Sequence, residues 1–117
     1  MTALHLAAQF SSASVVRALI EAGAEVNARD SWKQSPLHSA ASYNPAAVPV
    51  LLEANADVNV LGCQNYSPLF LAAWKNQRDS VIALCSAGAD PHMGNSPLTS
   101  SLVDSDMKSL IRMHSSL

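Results

Sequence analysis

The sequence predicts an all-α solenoid of short antiparallel helix pairs, stacked in a row and joined by hairpin loops. Three observations predict it. The phrases "TALHLAAQF" from Thr2, "SPLHSAASY" from Ser35 and "SPLFLAAWK" from Ser67 repeat one pattern, with a weaker copy "SPLTSSLV" from Ser96. Their starts lie 33, 32 and 29 residues apart. A second phrase keeps step with the first: "LIEAGAEVN" from Leu19, "LLEANADVN" from Leu51 and "LCSAGADPH" from Leu84. Two phrases in fixed order at one period mark a repeat architecture, in which each unit buries its apolar face on its neighbours.

Each element follows from its residues. Ser35 caps a helix by accepting an N–H bond from the first turn. Pro36 suits the first helical position, where its missing N–H costs nothing. Leu37, Ala40 and Ala41 form an apolar face at helical spacing, and the alanines let a neighbouring helix approach closely. A second helix follows, with Val15, Val16, Leu19 and Ile20 as its expected buried stripe in the first repeat. Gly23 stops that helix in the left-handed conformation. Asn55 stands at the equivalent point of the second repeat, and Asn is the next-best residue there. The turn-rich stretches "AEVNARDSWKQ" and "ADVNVLGCQNY" carry the chain back to the next start.

Composition narrows the function. With 117 residues, 49% hydrophobic and 14% charged, the chain suits one domain and is not a disordered composition. No apolar run approaches the ~18 residues of a membrane-spanning helix, and the start lacks the marks of a secretory signal. A net charge of −2 goes with no visible basic stripe for duplex nucleic acid. Two cysteines, Cys63 and Cys85, make no disulfide framework. The expected setting is intracellular, cytoplasmic or nuclear, with reduced thiols.

The quoted phrases resemble the ankyrin repeat, a turn plus two antiparallel helices of about 33 residues. The family's T-P-L-H-x-A-A phrase is matched by "TALHLAA", "SPLHSAA" and "SPLFLAA", and its G-A-D-V-N phrase by "GAEVN" and "NADVN". The resemblance covers nearly the whole chain. It implies one domain, residues 1–117, with repeats at about 1–29, 30–61 and 62–90 and a degenerate capping repeat at 91–117. Departures from the pattern carry information. Ala3 replaces the first Pro with no hairpin before it, so the chain is expected to be a piece of a longer protein. Lys33 and Asn65 stand where the family has a turn glycine, and Lys tolerates positive φ less well than Asn. The loop before Ser96 is four residues short, which predicts a stunted hairpin. In the fourth repeat Leu98, Leu102, Leu110 and Ile111 are expected to face inward, and the last few residues to be disordered.

Catalytic signals are weak. Ser105-Asp106-Met107-Lys108 fits S-x-x-K but lacks its partner motifs. His5 and His38 recur one repeat apart; the resemblance implies a hydrogen bond near the start of each helix that ties adjacent repeats. Cys63, Cys85 and His92 lack zinc-ligand spacing, and Cys85 reads as a small core residue. Asn65-Tyr66-Ser67 is a glycosylation sequon without a route to the secretory pathway. No metal, cofactor, small-molecule substrate, nucleic acid or membrane is expected. Asn27 and Asn59 each follow an acidic residue and a valine, with a leucine eight positions upstream. That context is similar to ankyrin sites of asparaginyl hydroxylation, although both asparagines also suit hairpin hydrogen bonding.

The family varies its hairpin tips and the groove-facing side of its first helices. Five of the six aromatic residues, Phe10, Trp32, Tyr43, Tyr66 and Trp74, fall at such positions. Phe70 replaces the repeat's His and is expected to pack between repeats. Tyr43 also suits covering the Asn44-Pro45 turn, and Trp32 packing along the next hairpin. Exposed aromatics are a liability unless they meet a partner, and Trp and Tyr are enriched at energetic centres of interfaces. Gln34, Gln64, Arg29 and Lys75 complete the expected partner-binding set, with Arg29, Lys75 and Arg78 as a polar rim. The resemblance implies a non-enzymatic module that binds another protein, such as an adaptor or scaffold. Other readings remain: a structural or oligomerisation role, the substrate-recognition part of a ubiquitin-ligase adaptor, and a small-ligand or lipid-headgroup groove, for which no basic cluster is seen.

Overall fold

The computed structural model describes residues 1–114 of the chain. Three helix pairs follow in order: α1 (Ala3–Phe10) with α2 (Ala13–Glu21), α3 (Pro36–Tyr43) with α4 (Val48–Glu53), and α5 (Pro68–Trp74) with α6 (Arg78–Ser86). A last helix, α7 (Ser105–His114), packs on α6. Helices α1, α3 and α5 form an inner row, and α2, α4, α6 and α7 an outer one. The result is a short all-α stack of 39 × 25 × 21 Å.

The inner helices begin as their sequence dictates. Thr2, Ser35 and Ser67 each accept a bond from the backbone N–H three residues on. Pro36 and Pro68 occupy the first helical positions. In α1 and α3 the cap is reciprocal. His5 Nδ1 accepts from the Thr2 N–H at 3.1 Å, and His38 Nδ1 from the Ser35 N–H at 3.0 Å. Each ring then donates from Nε2 to a carbonyl of the following repeat's hairpin: His5 to Gln34 O at 2.8 Å, His38 to Tyr66 O at 2.9 Å. These bonds require the neutral ring with its proton on Nε2. Phe70 stands at this position in α5 and is fully buried. It stacks on Tyr66 with ring centroids 4.5 Å apart.

The outer helices end on left-handed residues, Gly23 (φ 98°), Asn55 (φ 69°) and Gly88 (φ 91°). At each stop one N–H folds back to the helix: Ala24 to Leu19 O, Ala56 to Leu51 O and Ala89 to Leu84 O, all at 3.0 Å. The turns beyond are joined by asparagines. Asn27 Oδ1 accepts from the Asp57 N–H and Asn59 Oδ1 from the Asp90 N–H, both at 2.8 Å. At the hairpin tips Lys33 and Asn65 adopt φ 63° and 59°, the conformation glycine would take more cheaply.

The alanine pairs Ala7/Ala8, Ala40/Ala41 and Ala72/Ala73 lie buried between inner helices, with Leu4, Leu37 and Leu69 beneath. Val16, Val48 and Val81 fill the centre of the outer row. Two expectations need correction. Val15 is not part of the buried stripe; it is 46% exposed, while its counterparts Ala47 and Ser80 are fully buried. Those counterparts are covered by the repeat before them, and none among the described residues precedes Val15. Leu102 also points outward, 50% exposed. The phrase "SPLTSSLV" forms turns rather than a helix. Ser96 Oγ donates to Pro91 O at 2.6 Å and accepts from the Leu98 N–H, so it caps nothing. Val103, Met107, Leu110 and Ile111 are buried there along with Pro97, and Leu98 is half-buried. The expectation of disorder falls on residues 115–117, outside the described ones.

The short loop before Ser96 still bonds to the preceding hairpin through Asn95, whose N–H donates to Asn65 O at 3.0 Å and whose Nδ2 donates to Gln64 O. Gly94 (φ 62°) allows that approach: a Cβ there would lie 2.4 Å from Asn65 O and 2.8 Å from Leu61 Cδ2. Gly88 has no such neighbour within 4 Å. Gly88→Ala is therefore expected to lose only the conformational term, about 1–2 kcal/mol. Gly94→Ala is expected to lose more, because backbone must also move. Urea unfolding of both variants checks the order, and equal losses would contradict the close approach.

Candidate functional site

The inner helices and the hairpin tips enclose a groove of about 430 Å³. It is lined along the tips by Trp32, Asp30 and Gln34, and along the helices by Tyr43, Trp74 and Lys75. Its floor includes His38, Ser39 and Ser42 of α3 and Leu71 of α5. Helical spacing explains the floor: Ser39 and Leu71 sit one turn before Tyr43 and Lys75, on the same face.

Trp32 is 67% exposed and held by its backbone, not its ring. Its N–H donates to Asp30 Oδ1 at 2.9 Å, and its carbonyl accepts from the Cys63 N–H at 2.9 Å. A second recess, of about 230 Å³, lies on the other side of this residue, between the tips at Lys33, Cys63 and Gln64. Trp74 and Tyr43 face the groove across Lys75, whose Nζ lies 4.8 Å from the Trp74 ring and 5.6 Å from the Tyr43 ring.

The structure gathers five of the sequence-predicted residues, Trp32, Gln34, Tyr43, Trp74 and Lys75, around this one groove. It places the other four elsewhere. Phe10, 75% exposed at the end of α1, does not line it. Arg29 braces two hairpins, donating from Nε to Lys33 O at 3.1 Å and from Nη2 to Leu61 O. Gln64 lies at the third tip with φ 61°. Tyr66 is half-buried against Phe70 and lines a recess of about 240 Å³ beside Asn95, Ser96 and Thr99. Asn27 is exposed and Asn59 half-buried, and both side chains are engaged in the turn bonds above. Among the described residues, no three His, Cys, Asp or Glu side chains gather to hold a metal, and no helix is long and apolar enough to cross a membrane.

The model of the family "Ankyrin repeats (3 copies)" matches residues 4–95. The chain belongs to the ankyrin-repeat family. Ankyrin repeats are generally protein-interaction modules. A stretch of 40 residues is 48% identical to human neurogenic locus notch homolog protein 2, covering 34% of this chain. Over 41 residues it is 46% identical to human neurogenic locus notch homolog protein 1 and 44% to the Drosophila melanogaster neurogenic locus Notch protein, each covering 35% of this chain. The chain spans 2% of the length of these curated relatives.

Asp30, Ser39 and Leu71 are among the groove residues not foreseen as lining. Their signal was the i, i+4 relation to the predicted helix residues and the hairpin position next to Arg29. His38 joins the groove floor to the repeat framework. Its pKa is lowered from 6.5 to about 4, chiefly because burial penalises the charged ring. The Tyr66 carbonyl and Asp30 oppose this, while Arg29 and His5 add to it. A proton on Nδ1 would also face the Ser35 N–H, donor against donor.

This gives a signed pH dependence. Between pH 6.5 and 4 the unfolded chain holds the His38 proton and the folded chain does not. The contribution is therefore complete above pH 6.5 and is lost as pH falls towards 4, on the order of 3 kcal/mol in all. Urea unfolding across that window is expected to show the decline. His38→Gln, which keeps a donor and an acceptor without titrating, is expected to flatten it. An equal slope in both proteins would remove His38 as its cause.

Proposed function

We propose that this chain is a non-enzymatic adaptor domain that binds a segment of a partner protein in the groove between its hairpin tips and inner helices. One observation carries the reading: the rings of Trp32, Tyr43 and Trp74 surround one concave surface, and these side chains take no part in the hydrogen bonds that join the repeats. The repeat interior is already filled by alanine, leucine and valine. Large rings at the groove therefore add a recognition surface, as Trp and Tyr do at interface centres. The framework presents them on capped helices and braced hairpins, so little ordering entropy is lost when a partner docks. The proposal takes residues 1–117 as one domain with a degenerate last repeat, working in the cytoplasm or nucleus. Phe10, Arg29, Gln64 and Tyr66 stand outside the groove and enter as flanking surface.

The proposal includes hydroxylation at Asn27 and Asn59, whose sequence context suggested it. Asn27 is exposed on its turn. Intact-mass measurement of the chain purified from human cells is expected to show species heavier by one or two oxygen atoms. A single unmodified mass would remove this part and leave the groove untouched.

The groove is tested by crosslinking and capture from cell lysate, comparing the natural chain with Trp32→Ala/Trp74→Ala. Helical content by circular dichroism checks that the variant folds. Truncating two interface-centre residues, at ~2 kcal/mol or more each, is expected to weaken a groove partner by roughly a thousandfold and remove it from the captured set. Equal capture by both proteins would move the binding surface to the outer helices or the last repeat.

A further inference from the structure

The charges of this chain are sorted by face. Helices α1, α3 and α5 carry no Asp, Glu, Lys or Arg. The hairpin tips and Lys75 supply Arg29, Lys33 and Lys75 against Asp30. That is three of the seven basic residues but one of the nine acidic ones. The outer helices α2, α4 and α6 and the turns after them reverse the balance. They carry Glu21, Glu25, Glu53, Asp57, Asp79 and Asp90, opposed by Arg17 and Arg78. A chain of net charge −2 thus has a positive row of hairpin tips beside the groove and a negative back.

Local geometry sharpens the asymmetry. The one acid at the groove, Asp30, turns Oδ1 into its own hairpin and accepts from the Trp32 and Gln34 N–H groups at 2.9 and 3.0 Å. Arg29 bonds to neutral carbonyls, which leave its charge in place. Lys75 is held over the faces of Trp74 and Tyr43. Ring faces attract an ammonium through their quadrupole but do not neutralise it. Its N–H donors stay available to an incoming acceptor.

We infer that the groove's occupant is an acidic segment of another protein, which sets an apolar side chain against Trp32 and Trp74 and a carboxylate on Lys75. The inference rests on the groove reading above and specifies the partner's chemistry. A single ammonium inside the groove, with six acids on the opposite face, suits a spaced carboxylate. A nucleic-acid strand would need a run of cations along its phosphates. Opposite charge at the rim also steers encounter and rejects basic segments.

Panning a random-peptide phage library against the whole chain tests this without presuming a partner. The expected selection is peptides enriched in Asp and Glu beside Leu, Phe or Trp. Their binding is expected to weaken with added salt, and by about tenfold or more in Lys75→Glu. It is expected to be lost in Trp32→Ala/Trp74→Ala. Peptides without acidic enrichment that still need Trp32 and Trp74 would overturn the charge inference and keep the groove. Acidic peptides indifferent to the tryptophans would overturn the groove itself. Selection of no peptide, or tighter binding of single-stranded oligouridylate than of any selected peptide, would overturn the acidic-segment proposal. Because Lys75 is exposed and bears no repeat-joining bond, Lys75→Gln serves as the folded control for Lys75→Glu.

Discussion

The stack depends on one bond made twice: an imidazole N–H donated to a carbonyl of the next hairpin. His5 reaches Gln34 O and His38 reaches Tyr66 O, each while its other nitrogen completes the cap of its own helix. The inner helices meet through alanine pairs, which pack closely but have no shape to resist sliding or rotation. A directional bond from a buried ring supplies the missing register. It also fixes the ring's protonation, because a single proton on Nε2 satisfies both neighbours. At His38 the same demand places a titratable group in the core, and its protonation opposes folding as pH falls.

The third interval shows what happens without that bond. Phe70 has no donor to offer, and it turns to Tyr66 instead, ring on ring with an interplanar angle of 7°. Trp74 extends the cluster at 6.4 Å from Phe70. The hairpin beyond is short and keeps its approach through Gly94. Ser96, whose counterparts cap helices, spends its hydroxyl on Pro91 O. The last repeat accordingly survives as one outer helix, α7, lying on α6 through Met107, Leu110 and Ile111.

Much of this was legible in the chain. Ser-Pro-Leu starts, alanine pairs and Gly or Asn stops each have one local physical meaning, and three helix pairs followed from them. Lys33 and Asn65 were legible as strained tips because they stand where the ankyrin pattern has a turn glycine, the residue that takes positive φ most cheaply. Val15 was not, since its pattern is apolar at helical spacing whether or not a preceding repeat covers it. Leu102 failed for a related reason: inward placement presumed a helix that Ser96 does not cap. For the groove, sequence position separated tip and helix residues from the core but could not say which shared a concavity. Tyr66 lost its place through Phe70, a neighbour four residues on. Arg29 lost its place through two backbone carbonyls that no side-chain pattern announces.

The proposed recognition surface and the stability of the stack are separable over most of the groove but not over all of it. Trp32, Tyr43, Trp74 and Lys75 contribute no side-chain bond between repeats, so their chemistry can change while the stack persists. Gln34 and His38 belong to both: the Gln34 carbonyl receives His5, and His38 lies in the groove floor while holding Tyr66. Charge placed on His38 would therefore disturb the groove from beneath, by opposing a donor to the Ser35 N–H. The walls would lose their common base before any side chain on them changed. A partner that needs Trp32 and Trp74 held at one spacing thus depends on the neutrality of a ring it need not touch.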